Sequence, residues 1–496
     1  MNTASTRFER AAIGIVVAAT WIAASFVVSP LVGGFAVVTV AEAVIVRSPG
    51  WLSSSAIGLL GFAAQPALVA GVVAAVLAAA AIAEIVRPRA PDVLTPAYAV
   101  AVAVATAWLF LATGGGLSIG VAVAFVVAVG APYLAAQYLT RPPAPPNRRR
   151  FLRRVGGVVA AGAVSAAGLR ALFSRFESEG GDRAGEPLSR SISPPSGDPA
   201  FDFEGMPAAV TPPRNHYTID ISVDDPDIDP ESWSLGIDGA VEEPYELGYE
   251  ELRGHDDSVE QTTTLICISN PVGGDLIGTA HWTGVPLSSL VEAAEPAEGA
   301  VDLVTHAADG YSEAIPLELV EREDVLIAYG MGEQALPRSH GFPARLLVPG
   351  RYGMKMTKWI TRIEVAEAEH EAYWEQRDWN ERAIANTMSY VRAATREGDR
   401  VTVGGVAFGG LETGVEEIAG VEVSVDGGET WNEGELEAQL APHAWRRWRY
   451  AFDAPDGSEF DVVVRAIEAD GTVQTDEEAD TLPDGATGWH RETVQV

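Results

Sequence analysis

The stretch TTTLICISNPVGGDLIGTAHWTGVPLSSLV (262–291) decides how this chain is read. It opens with β-branched and apolar residues, a strand pattern that runs to Cys267–Ser269. A glycine-rich loop, residues 270–278, leads to a second apolar run. A helix over 286–295 then opens with Pro in its first turn. Cys267 is the single cysteine of 496 residues, so no disulfide can form within the chain. A lone cysteine is most often a small buried hydrophobe. One at a strand end beside a glycine loop is open to a ligand, and thiolate is the soft donor that suits soft or high-valent metals.

Outward from this stretch, TIDISV (218–223), SLGIDG (234–239), RLLVPG (345–350) and ITRIEVAE (360–367) read as strands among short helical segments. From about Val391 the pattern is all-β. VTVGGVAF (401–408), GVEVSVDGG (420–428), RRWRYAFDA (446–454) and FDVVVRAIEADG (460–471) are separated by Gly and Asp turns, as in a β-sandwich. Residues 177–208 are rich in Glu, Gly, Ser and Pro and read as a flexible linker.

The chain divides sharply by charge. Residues 1–176 hold 13 Arg, no Lys and four acids, a net +9; the remainder holds 21 basic and 64 acidic residues, a net −43. Such an acidic body repels phosphate, which excludes a nucleic-acid binder. Acid spread at this density, with two lysines against 32 arginines, points to a halophilic protein whose self-repulsion is screened by salt.

A bilayer span needs about 20 mostly apolar residues. Five are read, near 11–28, within 56–86 and interrupted by Pro66, near 96–112, near 117–139 and near 152–173. The apolar run 31–46 carries Glu42, follows Pro30 and is taken as interfacial or re-entrant. With five spans the arginine clusters at 7–10, 87–89 and 141–154 share the cytoplasmic side. The acidic body is then extracytoplasmic. NRRRFLRRVGGVVAAGAVSAAGL (147–169) resembles a twin-arginine export signal, with Arg148 and Arg149 as the pair. All eight histidines lie at His216 or later, so these spans hold no bis-histidine haem.

The pattern C-x-S-N-x-x-G-G-x-L-x-x-x-A-x-W-x-G-V-P-L resembles the sulfite-oxidase family of molybdopterin enzymes. Three further blocks agree in order: PRNHY (213–217); DVLIAYGMGEQALPRSHGFPARLLVPGRYGMKMTKWITRIEV (324–365); and SVDGGETW (424–431) followed by WRRWRY (445–450). The resemblance covers about 210–496 and leaves the membrane part outside it. The N-terminal α-helical transmembrane bundle (1–140, with the twin-arginine-like segment and fifth helix at 141–176) is read from hydropathy and charge alone. The resemblance implies an α+β molybdopterin-binding domain (209–390) and an immunoglobulin-like dimerisation domain (391–496). It implies Mo-molybdopterin as cofactor and Cys267 as the molybdenum ligand. It carries cofactor contacts to Asn215, His216, Thr305, His340, Arg345, Met356, Thr357 and Lys358. Arg351 and Lys355 join them as cations suited to an anionic phosphate, since both lysines of the chain fall in this one stretch. The substrate pocket would take Arg214, which orients the substrate, Tyr329, which hydrogen-bonds it, and Trp282.

Two arginines of the sulfite-specific pattern are missing. Pro271 and Val272 stand after the cysteine, and AFGGLET (407–413) has no arginine. A pocket short of two cations binds a dianion less well, so a sulfoxide or N-oxide is as suitable as sulfite. The expected enzyme is a membrane-anchored, extracytoplasmic oxidoreductase carrying out two-electron oxygen-atom transfer. It would work with a separate electron carrier or a redox partner in the membrane, as a homodimer. The alternative is a non-catalytic acidic ectodomain on a membrane anchor.

Overall fold

The computed structural model describes residues 3–29, 35–48, 52, 56, 64–86, 106, 119–140, 184–188, 194–322, 324–411, 414–454 and 458–496. The chain forms two units, residues 1–182 with 222–227, and residues 183–221 with 228–496.

In the first unit the described helices are α1 (Thr3–Val28), α2 (Ala36–Arg47), α3 (Ala64–Val86) and α4 (Ile119–Thr140). Val27 and Val28 of α1 pack on Ala124 and Ala128 of α4, where small side chains allow close approach. Two stretches, Arg10–Val28 and Ala64–Val86, are long and apolar enough to cross a membrane by length and composition. Pro66 is the third residue of α3 as described, Ala64–Val86. At 12 residues α2 rises only about 18 Å, too short for a hydrocarbon core of about 30 Å. The expected spans near 96–112 and 152–173, and the twin-arginine-like segment, lie outside the described residues.

The second unit begins its sheets with β1 (Ser234–Gly239), β2 (Tyr245–Gly248), β3 (Val259–Ile266), β4 (Ile277–Pro286), β5 (Asp302–Ala307), β6 (Ser312–Pro316), β7 (Leu326–Met331), β8 (Gln334–Ala335), β9 (Arg345–Leu347) and β10 (Ile360–Ala366). Only three short helices accompany them, α5 (Tyr249–Arg253), α6 (Leu287–Glu292) and α7 (Leu317–Val320). One sheet has the order β2-β1-β10-β5-β6, with β1 and β10 parallel. The other runs β3-β4-β7-β8, with β9 beside β7. Strand β4 is buried along its whole length, which is why IGTAHWTGVP shows no polar alternation. Leu235, Ile237, Leu265, Trp282, Leu303 and Ile327 meet in the core between these elements.

The segment 218–223, expected as a strand, pairs with no sheet, and its Asp220 side chain bonds Lys358.

The C-terminal part is a sandwich of two four-stranded sheets. Its strands are β11 (Met388–Glu397), β12 (Arg400–Phe408), β13 (Gly410–Leu411), β14 (Gly414–Val415), β15 (Ile418–Ser424), β16 (Asn432–Glu433), β17 (Glu435–Leu436), β18 (Arg446–Asp453), β19 (Glu459–Glu468) and β20 (His490–Gln495). The sheets are β11-β12-β18-β17 and β16-β15-β19-β20, and β13 and β14 pair with each other as a separate two-stranded ribbon. Alternate residues Val401, Val403, Val421, Val423, Val462, Val464 and Trp448 fill the space between them.

The flexible-linker expectation fails for the second half of 177–208. Arg447 of β18 is buried and pairs with Glu437 at 2.7 Å and Asp202 at 2.6 Å. It also donates to the carbonyls of Asp198 and Pro207, which straps this segment to the sandwich. A buried guanidinium needs its donors filled, and only chain folded back from the linker supplies the remaining acceptors.

Candidate active site

Strand β3 delivers Cys267 to its end. The backbone there turns through Asn270 N–H to Cys267 C=O (3.0 Å), while Cys267 N–H bonds Leu276 C=O at the start of β4 (3.0 Å). The thiol is 8 % exposed and lies 3.0 Å from the Ser269 hydroxyl. Burial raises its pKa, against the lowering effect of Ser269. A cation or metal is therefore needed to hold it as thiolate. Among the described residues no group of three His, Cys, Asp or Glu could hold a metal ion.

Tyr217 interacts electrostatically with both Cys267 and Arg345. It leads into a cluster of His216, His340, Arg345 and Trp282. The His216 ring stacks on Tyr217 (5.1 Å) and meets His340 (5.6 Å) and Trp282 (6.3 Å) edge to face. Its nitrogens lie 3.1 Å from the carbonyls of Tyr217 and Gly278. Gly278 is required there, because a Cβ would come within 2.8 Å of the imidazole. His340 Nε2 is 3.0 Å from the Pro213 carbonyl.

Arg345 lies over the Trp282 ring at 5.3 Å. It donates to the carbonyls of His340 (3.2 Å) and Met356 (3.3 Å). Its Nε has no partner and no carboxylate pairs with it among the described residues. Burial lowers its pKa to about 10. A buried guanidinium without a counter-anion is costly, and a bound phosphate would relieve that cost. The donor set therefore fits an anionic cofactor held near a thiolate.

Burial, the largest cause in each case, lowers His216 to about 4, His340 to about 3 and His490 to about 4. All three are neutral at pH 7. The unfolded chain binds these protons below about 6.5 and the folded chain does not, so stability present above 6.5 falls as pH drops from there toward 4. At pH 5 each histidine is expected to cost on the order of 2 kcal/mol relative to pH 7.5. Urea unfolding at both pH values checks this, and equal midpoints would disprove it.

The other expected site residues divide. Arg214 and Asn215 stand exposed in the 3-10 turn Pro213–Asn215, next to His216. Met356 lends its carbonyl to Arg345. Thr305 and Thr357 are buried and bond each other at 2.6 Å, so they brace the 356–358 segment from beneath. Lys358 bonds Asp220 (2.6 Å) and the Ser339 carbonyl (2.9 Å). Arg351 is buried, with Arg322 and Arg382 nearby adding to the burial that lowers its pKa to about 10.

Two expectations fail. Lys355 is not available to a phosphate: its Nζ is taken by Glu313 (2.8 Å), Glu375 (2.6 Å) and the Ala314 carbonyl (3.0 Å), which uses all three ammonium donors. Tyr329 is not brought to Cys267. Its hydroxyl bonds Ser258 (2.5 Å), just before β3, whereas Cys267 follows the far end of that strand. At about 3.3 Å per residue the two ends are on the order of 25–30 Å apart. Residues 326–331 form a wholly buried strand, so Tyr329 serves the core.

Three side chains passed over in the sequence reach the cysteine loop from the sandwich, Tyr390, Arg392 and His490. Period-two spacing does place Tyr390 and Arg392 on one strand face. Nothing local says what that face meets.

A buried thiol at a strand end and, by way of Tyr217, a histidine–arginine cradle with an unpaired guanidinium Nε make a donor set that suits an anionic cofactor. Comparisons give the family. The description "Oxidoreductase molybdopterin binding domain" matches residues 222–374 and "Mo-co oxidoreductase dimerisation domain" matches 373–496. The chain is 30% identical over 332 residues to the sulfite oxidase of Gallus gallus, covering 56% of this chain and 70% of that one. It is 30% identical over 337 residues to the mitochondrial sulfite oxidase of Mus musculus (57% and 60%). It is 27% identical over 329 residues to a nitrate reductase [NADH] of Brassica napus (53% and 35%). The crystal structure of the sulfane dehydrogenase SoxCD from Paracoccus pantotrophus shares the fold, with TM-score 0.52, 24% identity and 65% and 92% coverage. The chain belongs to the sulfite-oxidase family and is a molybdenum–molybdopterin oxidoreductase.

Proposed function

We propose that this protein is a membrane-anchored enzyme whose acidic unit lies outside the cytoplasm and transfers an oxygen atom, with two electrons, to or from a small sulfur or nitrogen oxo compound. The observation that carries the reading is the buried Arg345, without a carboxylate, in a cradle linked to Cys267 through Tyr217. When bound, the molybdenum cofactor supplies the redox chemistry. Cys267 would hold the metal. His216, His340 and Arg345 would hold the pterin and its phosphate, with Asn215 and Lys358 at the edge. Neither histidine adds charge, and His216, with both ring nitrogens at backbone carbonyls, would act through ring contact. Arg214, exposed beside His216, would draw in and orient the substrate. Trp282, buried beneath the Arg345 guanidinium, would help keep the cradle dry.

Anchoring rests on the two long apolar helices and on the arginine clusters flanking the apolar runs. The C-terminal sandwich supports a homodimer. Electrons would pass to or from a separate carrier. The test is the full chain purified in high salt from a host that makes the cofactor. About one molybdenum and one pterin per chain are expected, followed by turnover of sulfite, a sulfoxide or an N-oxide with an artificial electron carrier. A folded protein with neither metal nor pterin would favour the non-catalytic ectodomain.

A further inference from the structure

Residues 268–276, which join β3 to β4 and carry the chain on from Cys267, are closed by their own backbone. Asn270 Oδ1 accepts from Leu276 N–H (2.8 Å) and Gly274 N–H bonds Pro271 C=O (2.8 Å). The remaining polar groups of this loop face the sandwich. Arg392 of β11 donates from Nη1 to Gly273 C=O (2.9 Å) and from Nη2 to Gly274 C=O (2.5 Å). Nη1 also pairs with the exposed Asp275 at 3.1 Å. The guanidinium lies over the Tyr390 ring at 4.9 Å. The Tyr390 hydroxyl in turn accepts from Asn270 Nδ2 (3.2 Å). From the other sheet, His490 of β20 packs against Gly273, whose φ is +77°, so closely that a Cβ would come within 2.2 Å of its Nε2. Val391 N–H holds the other nitrogen of that ring at 3.0 Å.

Strands from both sheets of the sandwich thus grip one loop. A planar fork that reaches two consecutive carbonyls is a geometry arginine supplies and lysine does not. The grip also brings a guanidinium to the loop in which Pro271 and Val272 carry no charge. We propose that Arg392 is a positioning residue for Cys267, acting through the carbonyls of Gly273 and Gly274. The role for catalysis rests on Cys267 being the molybdenum ligand. The mechanical claim, that Arg392 holds the loop, does not need the cofactor.

Because Cys267 is the single cysteine, alkylation by iodoacetamide reports this loop alone. The full chain is prepared without cofactor, and labelling is followed by mass at fixed pH. Arg392→Gln is expected to raise the labelling rate about tenfold through loss of the charged hydrogen bonds, with the thermal midpoint shifted by only a few degrees. Arg392→Lys should not restore protection. Tyr390→Phe, which removes only the hydroxyl bonded to Asn270, should raise the rate by a smaller factor. In the loaded enzyme Arg392→Gln should shift the thiolate-to-molybdenum absorption band and lower kcat more than it changes KM. Wild-type labelling rates in Arg392→Gln, or in Tyr390→Phe should the first variant not fold, would overturn the proposal. Faster labelling in a chain that takes up no molybdenum would leave the grip standing and remove the cofactor reading instead.

Discussion

Cys267→Ser should abolish turnover and molybdenum retention while the fold survives. The serine hydroxyl is a hard donor that stays protonated near neutral pH, so it cannot replace a thiolate on a soft-ligand metal site. Loss of an outer-shell partner already costs roughly 10- to 100-fold in metal affinity or activity, and loss of the ligand itself should exceed that. Folding should hold because the two side chains are close in size and the hydroxyl keeps Ser269 as a partner at the 3.0 Å contact. Metal analysis, steady-state turnover and a thermal midpoint read the three parts separately. A serine variant that turns over would refute the ligand role.

Lys355→Met should produce the largest loss of stability of any single change outside the hydrophobic core. Glu313 is fully buried and Glu375 nearly so, and both depend on this one ammonium. Burial raises Glu313 to about 7, opposed by Lys355, with Glu375 adding to the rise. On Lys355 itself burial lowers the pKa but the two glutamates outweigh it, so the lysine stays charged. Removing one partner of a buried ion pair typically costs about 3–5 kcal/mol, because the other charge is left without compensation. In the variant Glu313 must bind a proton to remain buried. Its folded pKa, raised by burial above the ordinary value of 4.5, then makes stability fall as pH rises through it. Urea unfolding should show a deeper deficit at pH 8 than at pH 6. Adding Glu313→Gln should recover part of it. Equal stability of Lys355→Met and wild type would mean that the cluster carries no net stabilisation.

Both expectations rest on the stretch 262–291 and the stretch 324–365, yet the two were not equally legible in the sequence. The end of β3 at Cys267, the edges of β1 and β10 and the sandwich strands follow from β-branched runs bounded by Gly, Asp and Pro. These are local signals, so they survive without knowledge of partners. His216, His340 and Arg345 were found through motifs whose spacing the fold brings to one cradle. The piece 218–223 reads as a strand in sequence but forms none, because its alternation serves single contacts such as Asp220–Lys358 and no sheet partner.

The sequence by itself determined the acidic body behind an arginine-flanked apolar region, the single thiol at a strand end, and the mixed-sheet and sandwich parts. Charge balance, hydrophobic period and turn residues are all read over a few neighbouring positions. Only the tertiary structure decided which polar groups remain available. Lys355 meets Glu313, 42 positions away, and is used up. Arg345 meets carbonyls and an indole, and keeps its charge unpaired. Tyr329 sits at the wrong end of its neighbour strand, and Arg392 crosses 119 positions to reach Gly273. Such pairings depend on how strands pack against each other across the whole unit, and local spacing does not encode that.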